Sequence, residues 1–252
     1  MRCEVLVFDE PGICPCSMGD LLDSLHTALA FNYWVGTIGH EGLRDEDWIN
    51  SCALLVFPHC NDRRPYDALD RDLTTISRIR QFVTEGGSFL GVCGGAYFAS
   101  RTAWWNGAQW GSATLALWPG LSRGPHLDEG AQTHEIILPF VNENKLTNGP
   151  NTNTNANTNT NTDTEAQYCD LHCDGGGEFV CEGVNASASF TVMGCYSTEK
   201  YAGVQCAVGA GQAVLWHARL ERSFRSTEVK DGYMRSYDAR HFDVEVCFEE
   251  CF

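Results

Sequence analysis

The sequence lacks the features that would carry it into or across a membrane. No apolar run approaches the roughly 18 residues that a membrane-spanning helix requires. The apolar stretch at residues 5–8 is too short for the core of a signal peptide, and Asp9 and Glu10 follow it directly. The 252-residue chain, with 43% hydrophobic and 20% charged residues, is therefore expected to be a soluble globular protein without a secretory or organellar address.

Positive charge is also scarce. The chain has 17 lysines and arginines against 33 aspartates and glutamates, which gives a formal net charge of −16. Such a charge repels phosphate backbones and anionic lipids, so we predict no nucleic-acid partner and no membrane partner. A small molecule or another protein remains as the class of partner.

Paired metal-binding cysteine motifs are missing as well, although the sequence contains 13 cysteines. Their number is odd, their spacing is irregular, and several lie within apolar stretches where a free thiol packs as a small hydrophobic group. We therefore expect reduced thiols, a cytoplasmic location, and neither a metal ion nor a cofactor. Two alternatives stay open: a zinc site at cysteines 14 and 16 or 169 and 173, and a secreted form to which the glycosylation sequon at 185–187 would belong.

Apolar segments that alternate with helical periodicity predict an α/β fold with a mostly parallel central sheet. Strands are expected at residues 5–8, 33–38, 53–57, 88–92, 134–138, 190–196, 203–208 and 213–218. The last of these is expected to rejoin the main sheet. Helices are expected after Ser17, which is a plausible N-cap, and at residues 74–85, which Gly86 ends with a left-handed cap.

Residues 151–164 are almost entirely alternating asparagine and threonine. This composition offers too little apolar surface to offset the entropy lost on ordering, which predicts a disordered surface insertion. The length of the chain suits one α/β domain, so residues 1–252 are interpreted as a single domain that this insertion interrupts.

The strongest chemical signal is the stretch Gly91-Val-Cys93-Gly-Gly95, where an apolar strand meets helix-forming residues. Gly91 and Gly95 leave room for a sharp turn of the kind that strains the central residue and projects its side chain above the sheet edge. The start of the following helix is expected to lower the pKa of the Cys93 thiol. Cys93 is therefore the candidate nucleophile, with Gly91, Gly94 and Gly95 as candidate binding residues. A buried core cysteine beside packing glycines is the alternative, because G-x-C-x-G is only moderately specific.

Five stretches together resemble a known family: residues 48–58, 86–87 with 91–100, 117–125, 173–180 and 208–215. On these stretches the chain resembles the N-terminal domain of fungal biotin–protein ligases, a branch of the class I glutamine amidotransferase-like superfamily, over nearly its whole length. The resemblance implies a flavodoxin-like three-layer sandwich. It does not include the biotin-ligating domain, so it does not imply biotinylation.

The resemblance also implies where the catalytic partners of Cys93 belong. In active glutamine amidotransferases of this superfamily the cysteine attacks an amide, a histidine carries the proton, and a glutamate two residues later orients the histidine. An alignment without a gap from Gly211 puts Arg219 and Glu221 at the histidine and glutamate positions. A shift of two residues puts His217 at the histidine position instead, with Arg219 where glutamate belongs. Because arginine cannot accept a proton near neutral pH, only the shifted register retains a base.

Two loops complete the candidate site. The loop after the third strand carries His59 and Cys60 where the family has two glycines, whose backbone N–H groups face the developing oxyanion. Both are candidate binding residues, and His59 is also a candidate replacement base. Gly175, Gly176 and Gly177 are typical of a loop whose backbone closely approaches a ligand or another loop, and equally of a tight turn.

These altered positions predict two competing functions. In the first, the chain is a stand-alone, degenerate amidotransferase-like module whose cleft binds a small carbonyl or amide ligand, or a protein partner, without turnover. In the second, it is a cysteine-dependent amidase or hydrolase that uses Cys93 with His217 or His59, and Glu221. A purely structural role in oligomerisation is the remaining alternative. The distance from a histidine nitrogen to the Cys93 sulfur discriminates between the first two.

Overall fold

A parallel central sheet and an antiparallel extension organise the described part of the computed structural model, residues 2–29, 31–111, 115–127, 131–138, 167–197 and 200–222. In chain order the elements are β1 (Glu4–Phe8), α1 (Pro15–Leu29), β2 (Trp34–Ile38), α2 (His40–Arg44), α3 (Asp47–Ser51), β3 (Cys52–Phe57), α4 (Arg64–Arg71), α5 (Leu73–Thr84), β4 (Ser88–Val92), α6 (Gly94–Ala99), β5 (Ser100–Trp105), β6 (Ala108–Gln109), β7 (Trp118–Gly124), β8 (Ala131–Leu138), β9 (Gln167–Asp174), β10 (Glu178–Val180), β11 (Phe190–Ser197), β12 (Lys200–Val208), β13 (Gly211–Trp216) and a 3₁₀ helix (Leu220–Arg222). The insertion predicted at 151–164 lies outside the described residues, so its disorder and the single-domain interpretation stay predictions.

The central sheet has the strand order β2-β1-β3-β4-β13, and every neighbouring pair is parallel. The alternation of strands and helices in the first half of the sequence predicts this arrangement, which is confirmed. β13 pairs with β4 through Val214 opposite Leu90, so the prediction that this segment rejoins the main sheet is also confirmed. The carboxyl ends of β3, β4 and β13 therefore meet at one edge of the sheet.

A cluster of aromatic rings packs in the core beneath these strands. Phe57 at the end of β3 is fully buried, and its ring centroid lies 4.8 Å from that of Phe8, 5.1 Å from Phe89 and 5.6 Å from Phe98. All three contacts are edge-to-face, the geometry that the ring quadrupole favours. The continuous apolar sequence of β3 is thus explained by burial on both faces.

Two predicted helices are present, and one predicted cap is wrong. The helix α5 begins after Asp72, whose side chain accepts a hydrogen bond from the Thr75 N–H at 3.2 Å, and ends before Gly86, which adopts φ 98°. The helix α1 begins at Pro15, so Ser17 is not its N-cap. Ser17 instead lies within the first turn, fully buried, and its hydroxyl donates to Glu221.

The extension continues the sheet from β13 in the order β12-β10-β7-β5-β6, and β11 adds β8 and β9 to β12. Its pairs are antiparallel except for β5 with β7. The strands predicted at 134–138, 190–196 and 203–208 all lie here and are confirmed. The strand β7 escapes prediction because Trp118-Pro-Gly-Leu-Ser-Arg-Gly124 contains a proline and two glycines, which are turn signals in an isolated sequence.

No helix in the described ranges is both long enough and apolar enough to cross a membrane. The 11 cysteines in those ranges are free thiols.

Candidate active site

Cys93 lies at the turn between β4 and α6. Its backbone adopts φ 49° and ψ −102°, a region that residues with a side chain rarely occupy. The Cys93 N–H donates to the carbonyl oxygen of Trp216 at 2.7 Å, and the Cys93 carbonyl accepts from the N–H groups of Ala96 and Tyr97. The strained conformation is therefore held by β13 on one side and by the first turn of α6 on the other.

Three glycines let the chain close around this turn. A Cβ atom on Gly95 would lie 2.1 Å from the carbonyl oxygen at the end of β3, and one on Gly91 would lie 2.9 Å from the backbone of Gly95. A Cβ atom on Gly94 would lie 2.5 Å from Cys60 Sγ. Gly91 and Gly95 thus allow the close packing expected of them, whereas Gly94 lines the cleft beside Cys93.

A cleft of about 580 Å³ opens beside Cys93. This volume lies within the range of roughly 300–1,000 Å³ that small-molecule sites occupy. The loop after β3 contributes residues 59–62, the end of β9 contributes Asp174, and the segment after β13 contributes Arg219. The remaining lining residues come from the segment before α1, from α6, from the end of β5 and from the segment after β6: Cys14, Gly94, Tyr97, Trp105 and Trp110. The cleft therefore lies where the central sheet and the extension meet.

Arg219 is fixed in this cleft by two carboxylates. Its Nε donates to Glu221 Oε1 at 3.1 Å and its Nη1 donates to Asp174 Oδ2 at 3.0 Å. The Ser17 hydroxyl donates to the same Glu221 oxygen. Although burial alone would lower the pKa of Arg219, the two carboxylates raise it. The guanidinium is thus a permanent, immobilised cation next to Cys93.

Asp174 is the site residue that sequence reasoning missed. Its carboxylate lies 3.5 Å from His172 Nε2, 3.5 Å from His59 Nε2 and 3.0 Å from Arg219 Nη1. The hydrogen bond with His172 and the charges of Arg219 and His59 hold the pKa of Asp174 far below its usual range, against the effect of burial. The signal that could have found it is its place directly before the glycines at 175–177, inside a stretch that resembles the family.

His217 lies outside the cleft. Its Nε2 lies 3.1 Å from Ser122 Oγ, and no described residue hydrogen-bonds its Nδ1. The imidazole packs 4.1 Å from the ring of Phe179 and 4.5 Å from that of Tyr97. Burial lowers the pKa of His217 to about 3, so it is neutral at physiological pH. The structure places Arg219 in the cleft with Cys93 and pairs Glu221 with that arginine, but neither nitrogen of His217 hydrogen-bonds the thiol.

Burial raises the pKa of the Cys93 thiol well above its usual range. The neighbouring Cys60, Asp174 and Glu221 raise it further, and Arg219 lowers it. The expectation of a lowered pKa is therefore wrong. The helix α6 has six residues, and its short first turn does not outweigh the burial of a thiol that is only 8% exposed.

The loop after β3 carries side chains where the family has glycines. His59 and Cys60 are both buried, and both line the cleft. Burial raises the pKa of Cys60 to about 12, with smaller contributions from Asp62 and Cys14. The buried Tyr66 helps to hold this loop, because its hydroxyl donates to the carbonyl oxygen of residue 58 at 2.5 Å. The Cys60 sulfur occupies the space next to Gly94, where a Cβ atom would lie 2.5 Å from it.

The glycines at 175–177 closely approach other segments of the chain, and two of the residues that they approach, Tyr97 and Trp105, line the cleft. A Cβ atom on Gly176 would lie 2.7 Å from Leu127, and one on Gly177 would lie 2.3 Å from the Tyr97 hydroxyl oxygen. Gly175 and Gly176 adopt φ 72° and 54°. The loop therefore combines a close approach to other segments with the positive φ angles of a tight turn, and its role in ligand binding stays a prediction. Among the described residues, no group of three or more potential ligands is arranged to hold a metal ion.

The sequence matches the family described as Biotin-protein ligase, N terminal, over residues 3–245. It is 32% identical over 130 residues to an uncharacterized protein of Chlamydia muridarum (strain MoPn / Nigg), which covers 49% of each chain. It is 27% identical over 146 residues to the biotin–protein ligase of Schizosaccharomyces pombe, which covers 53% of this chain and 23% of that protein. The matched segments thus span about half of the first relative and about a quarter of the second.

Two solved structures show the fold. A glutamine amidotransferase superposes with a TM-score of 0.54 at 10% identity, over 87% of this chain and 93% of that chain. A glutamine amidotransferase from Thermotoga maritima superposes with a TM-score of 0.50 at 13% identity, over 88% of this chain and 77% of that chain. At these identities the likeness concerns the fold alone, and it confirms the predicted class I glutamine amidotransferase-like fold. Since the family match covers almost the whole sequence, this chain belongs to the family of biotin–protein ligase N-terminal domains.

Proposed function

We propose that this domain binds a small ligand with a carbonyl or amide group in the cleft at Cys93, without hydrolysing it by the amidotransferase route. The observation that carries the proposal is the position of Arg219, which lines the same cleft as Cys93 and pairs with Asp174 and Glu221. This arrangement supports the register without a gap, in which arginine stands at the histidine position of the family and Glu221 at the glutamate position.

An arginine at that position supplies charge but no proton transfer. Its guanidinium cannot take the proton of the Cys93 thiol or return one to a leaving amine. Burial also keeps Cys93 in the thiol form near neutral pH. Acyl transfer therefore lacks both an activated nucleophile and a proton carrier, whereas fixed donors and acceptors remain available to a bound carbonyl or amide.

The size of the cleft favours a small ligand over a protein partner. A stable protein interface buries roughly 800 Å² on each side, over 20–30 residues. The cleft is a space of about 580 Å³ that Cys93 lines together with polar side chains, among them His59, Asp174 and Arg219. Such a site is suited to enclose a compact molecule.

The test measures turnover and binding separately. We expect the protein to release no ammonia from L-glutamine, while an excess of acetamide slows alkylation of Cys93 by iodoacetamide, followed by mass spectrometry. Cys93→Ala sets the background. Arg219→His should create at most a trace of glutaminase activity, because His59 and Cys60 still occupy the oxyanion loop. Glutamine hydrolysis that Cys93→Ala abolishes would contradict the proposal.

A cysteine-dependent hydrolase is the second candidate, and the placement of His59 favours it. His59 lines the cleft with Cys93, and its Nε2 lies 3.5 Å from Asp174 Oδ2. A thiol, an imidazole and a carboxylate in one cleft have the composition of a catalytic triad. Hydrolysis of p-nitrophenyl acetate that is lost in Cys93→Ala and His59→Ala, but kept in His217→Ala, would favour this candidate over binding alone. If all three variants hydrolyse p-nitrophenyl acetate at the same rate as the unmodified protein, the hydrolase candidate is excluded.

A further inference from the structure

One part of the cleft wall is aromatic. Tyr97 from α6, Trp105 from the end of β5 and Trp110 from the segment after β6 all line it. Both tryptophans are partly exposed, so each presents ring surface to the cavity. Aromatic side chains in a small-molecule site provide large flat contact area for a planar ligand.

These rings are held in fixed orientations by the residues behind them. The Tyr97 ring centroid lies 5.6 Å from that of Trp105 and 5.6 Å from that of Trp110. The Arg63 guanidinium lies 5.8 Å from the centre of the Trp110 ring. A Cβ atom on Gly124 would lie 2.7 Å from the Trp105 ring, so glycine lets that ring pack directly on the backbone. A wall that is already ordered loses little conformational entropy when a ligand binds.

Arg219 and Asp174 form a polar part of the same cleft, and the buried Arg219 Nη2 keeps an unused hydrogen-bond donor. No described residue hydrogen-bonds Arg219 Nη2, while Arg219 Nη1 lies 3.0 Å from Asp174 Oδ2. The Asp174 side chain is 27% exposed, which leaves its carboxylate accessible as an acceptor. A carboxamide matches this pair, because its oxygen accepts from the arginine and its NH₂ group donates to the aspartate. A ligand carboxylate would instead be repelled by Asp174 and by the net charge of −16.

We infer that the ligand of this cleft is an aromatic amide, with its ring against Trp105 and Trp110 and its carboxamide on Arg219 and Asp174. This inference rests on the proposed function and narrows the ligand class. A small acyclic amide would leave the aromatic wall without contacts. An aromatic carboxylate would fill the wall but meet the wrong charge at the polar end.

Three probes separate the two parts of the inference: benzamide, acetamide and benzoate. Each is titrated into the full chain while the alkylation rate of Cys93 by iodoacetamide is followed by mass spectrometry and binding is followed by tryptophan fluorescence. We expect benzamide to protect Cys93 at a concentration roughly tenfold lower than acetamide, because of the added aromatic contacts. We expect benzoate to protect more weakly than benzamide.

The outcomes distinguish this inference from the proposed function. Equal protection by acetamide and benzamide would overturn the aromatic part and leave small-ligand binding standing. Stronger protection by benzoate than by benzamide would overturn the amide part. If no probe changes the alkylation rate or the fluorescence, both the inference and the proposed function fail.

A matched pair of tryptophan variants locates the effect. Trp110→Leu should weaken protection by benzamide roughly tenfold and leave protection by acetamide unchanged. Trp34→Leu is the control, because Trp34 is 60% exposed on the edge strand β2 and lies outside the cleft. Unchanged benzamide protection in folded Trp110→Leu protein would overturn the role of the wall. Should that variant not fold, the three probes on the unmodified chain still decide the question.

Discussion

The central parallel strands and the antiparallel extension differ both in construction and in what they contribute to the cleft. β1 and β4 are short segments buried along almost their whole length, whereas β5 and β7 contain more exposed residues between buried ones. The parallel strands place Cys93 and the loop at 59–62, which contain site residues predicted from the sequence. The extension places Asp174 and Trp105, which have no counterpart in the predicted catalytic positions. Cys93 thus comes from the parallel strands, whereas Asp174 and Trp105, which line the cleft beside it, come from the extension.

Arg219 connects these two parts. It follows β13 of the central sheet, but its backbone N–H donates to the carbonyl oxygen of His172 in β9 at 2.7 Å, and its side chain pairs with Asp174. Substitutions in the central core, at Arg219 and in the extension should therefore differ in their effects on stability and on the reactivity of Cys93.

The largest effect is expected in the central core. Phe57→Ala should lower the free energy of unfolding by about 4 kcal/mol, because it removes a fully buried ring with several aromatic neighbours and leaves a cavity. Phe190→Ala in the extension should cost about 2 kcal/mol or less, since Phe190 is only partly buried and packs on Trp118. Urea denaturation of both variants measures the difference. Equal losses would show that the two regions are packed alike.

The second-largest loss of stability is expected from a substitution of Arg219, which connects the two parts of the sheet. Arg219→Met leaves Glu221 and Asp174 without their cation, and we expect a loss of about 3 kcal/mol, toward the lower end for a buried pair because Asp174 is partly exposed. Arg64→Met is the control: its pair with Asp62 is exposed, and its removal should leave the midpoint of urea denaturation unchanged. A result in which both variants unfold at the same urea concentration would contradict a structural role for the connection.

A smaller effect concerns the influence of the extension on the thiol of the central sheet. Burial is the main cause of the raised pKa of Cys93, and Asp174 raises it further, so Asp174→Asn should lower that pKa and speed the alkylation of Cys93 at pH values below it. In the unmodified chain Cys93 should react more slowly near neutral pH than the exposed Cys16, and its rate should keep rising above the usual thiol range. The control Asp170→Asn changes an exposed residue of the same strand. If both aspartate variants react alike, the carboxylate of Asp174 does not act on the thiol.

The smallest effect is expected for residues 151–164. Deleting this tract of asparagine and threonine should change the free energy of unfolding by less than about 1 kcal/mol, because its composition supplies no large apolar side chain to the core. Thermal and urea denaturation of the deletion variant measure this change. A large loss would show that the tract contributes to the packing of the extension.

The sequence predicts the central sheet far better than the extension, for reasons visible in particular strands. Residues 53–57 are continuously apolar, so the burial of β3 follows from composition. The strand β7 carries a proline and two glycines, and β10 has only three residues, so neither has a period that a sequence rule detects. Their strand conformation depends on partners that are distant in the sequence.

For the candidate site, the sequence by itself determined the turn at Cys93 and the glycines around it, because a local strand-to-helix motif specifies its own geometry. It also reduced the position opposite Cys93 to two registers, 217 or 219. Only the tertiary structure decided which side chain lines the cleft, since that choice depends on Asp174 from a strand of the extension and on Ser17 from the first helix. The tertiary structure also decided how deeply Cys93 is buried, which raises the pKa of its thiol. The start of a helix is visible in a sequence, but the burial that outweighs it arises only when the two parts of the sheet close around the thiol.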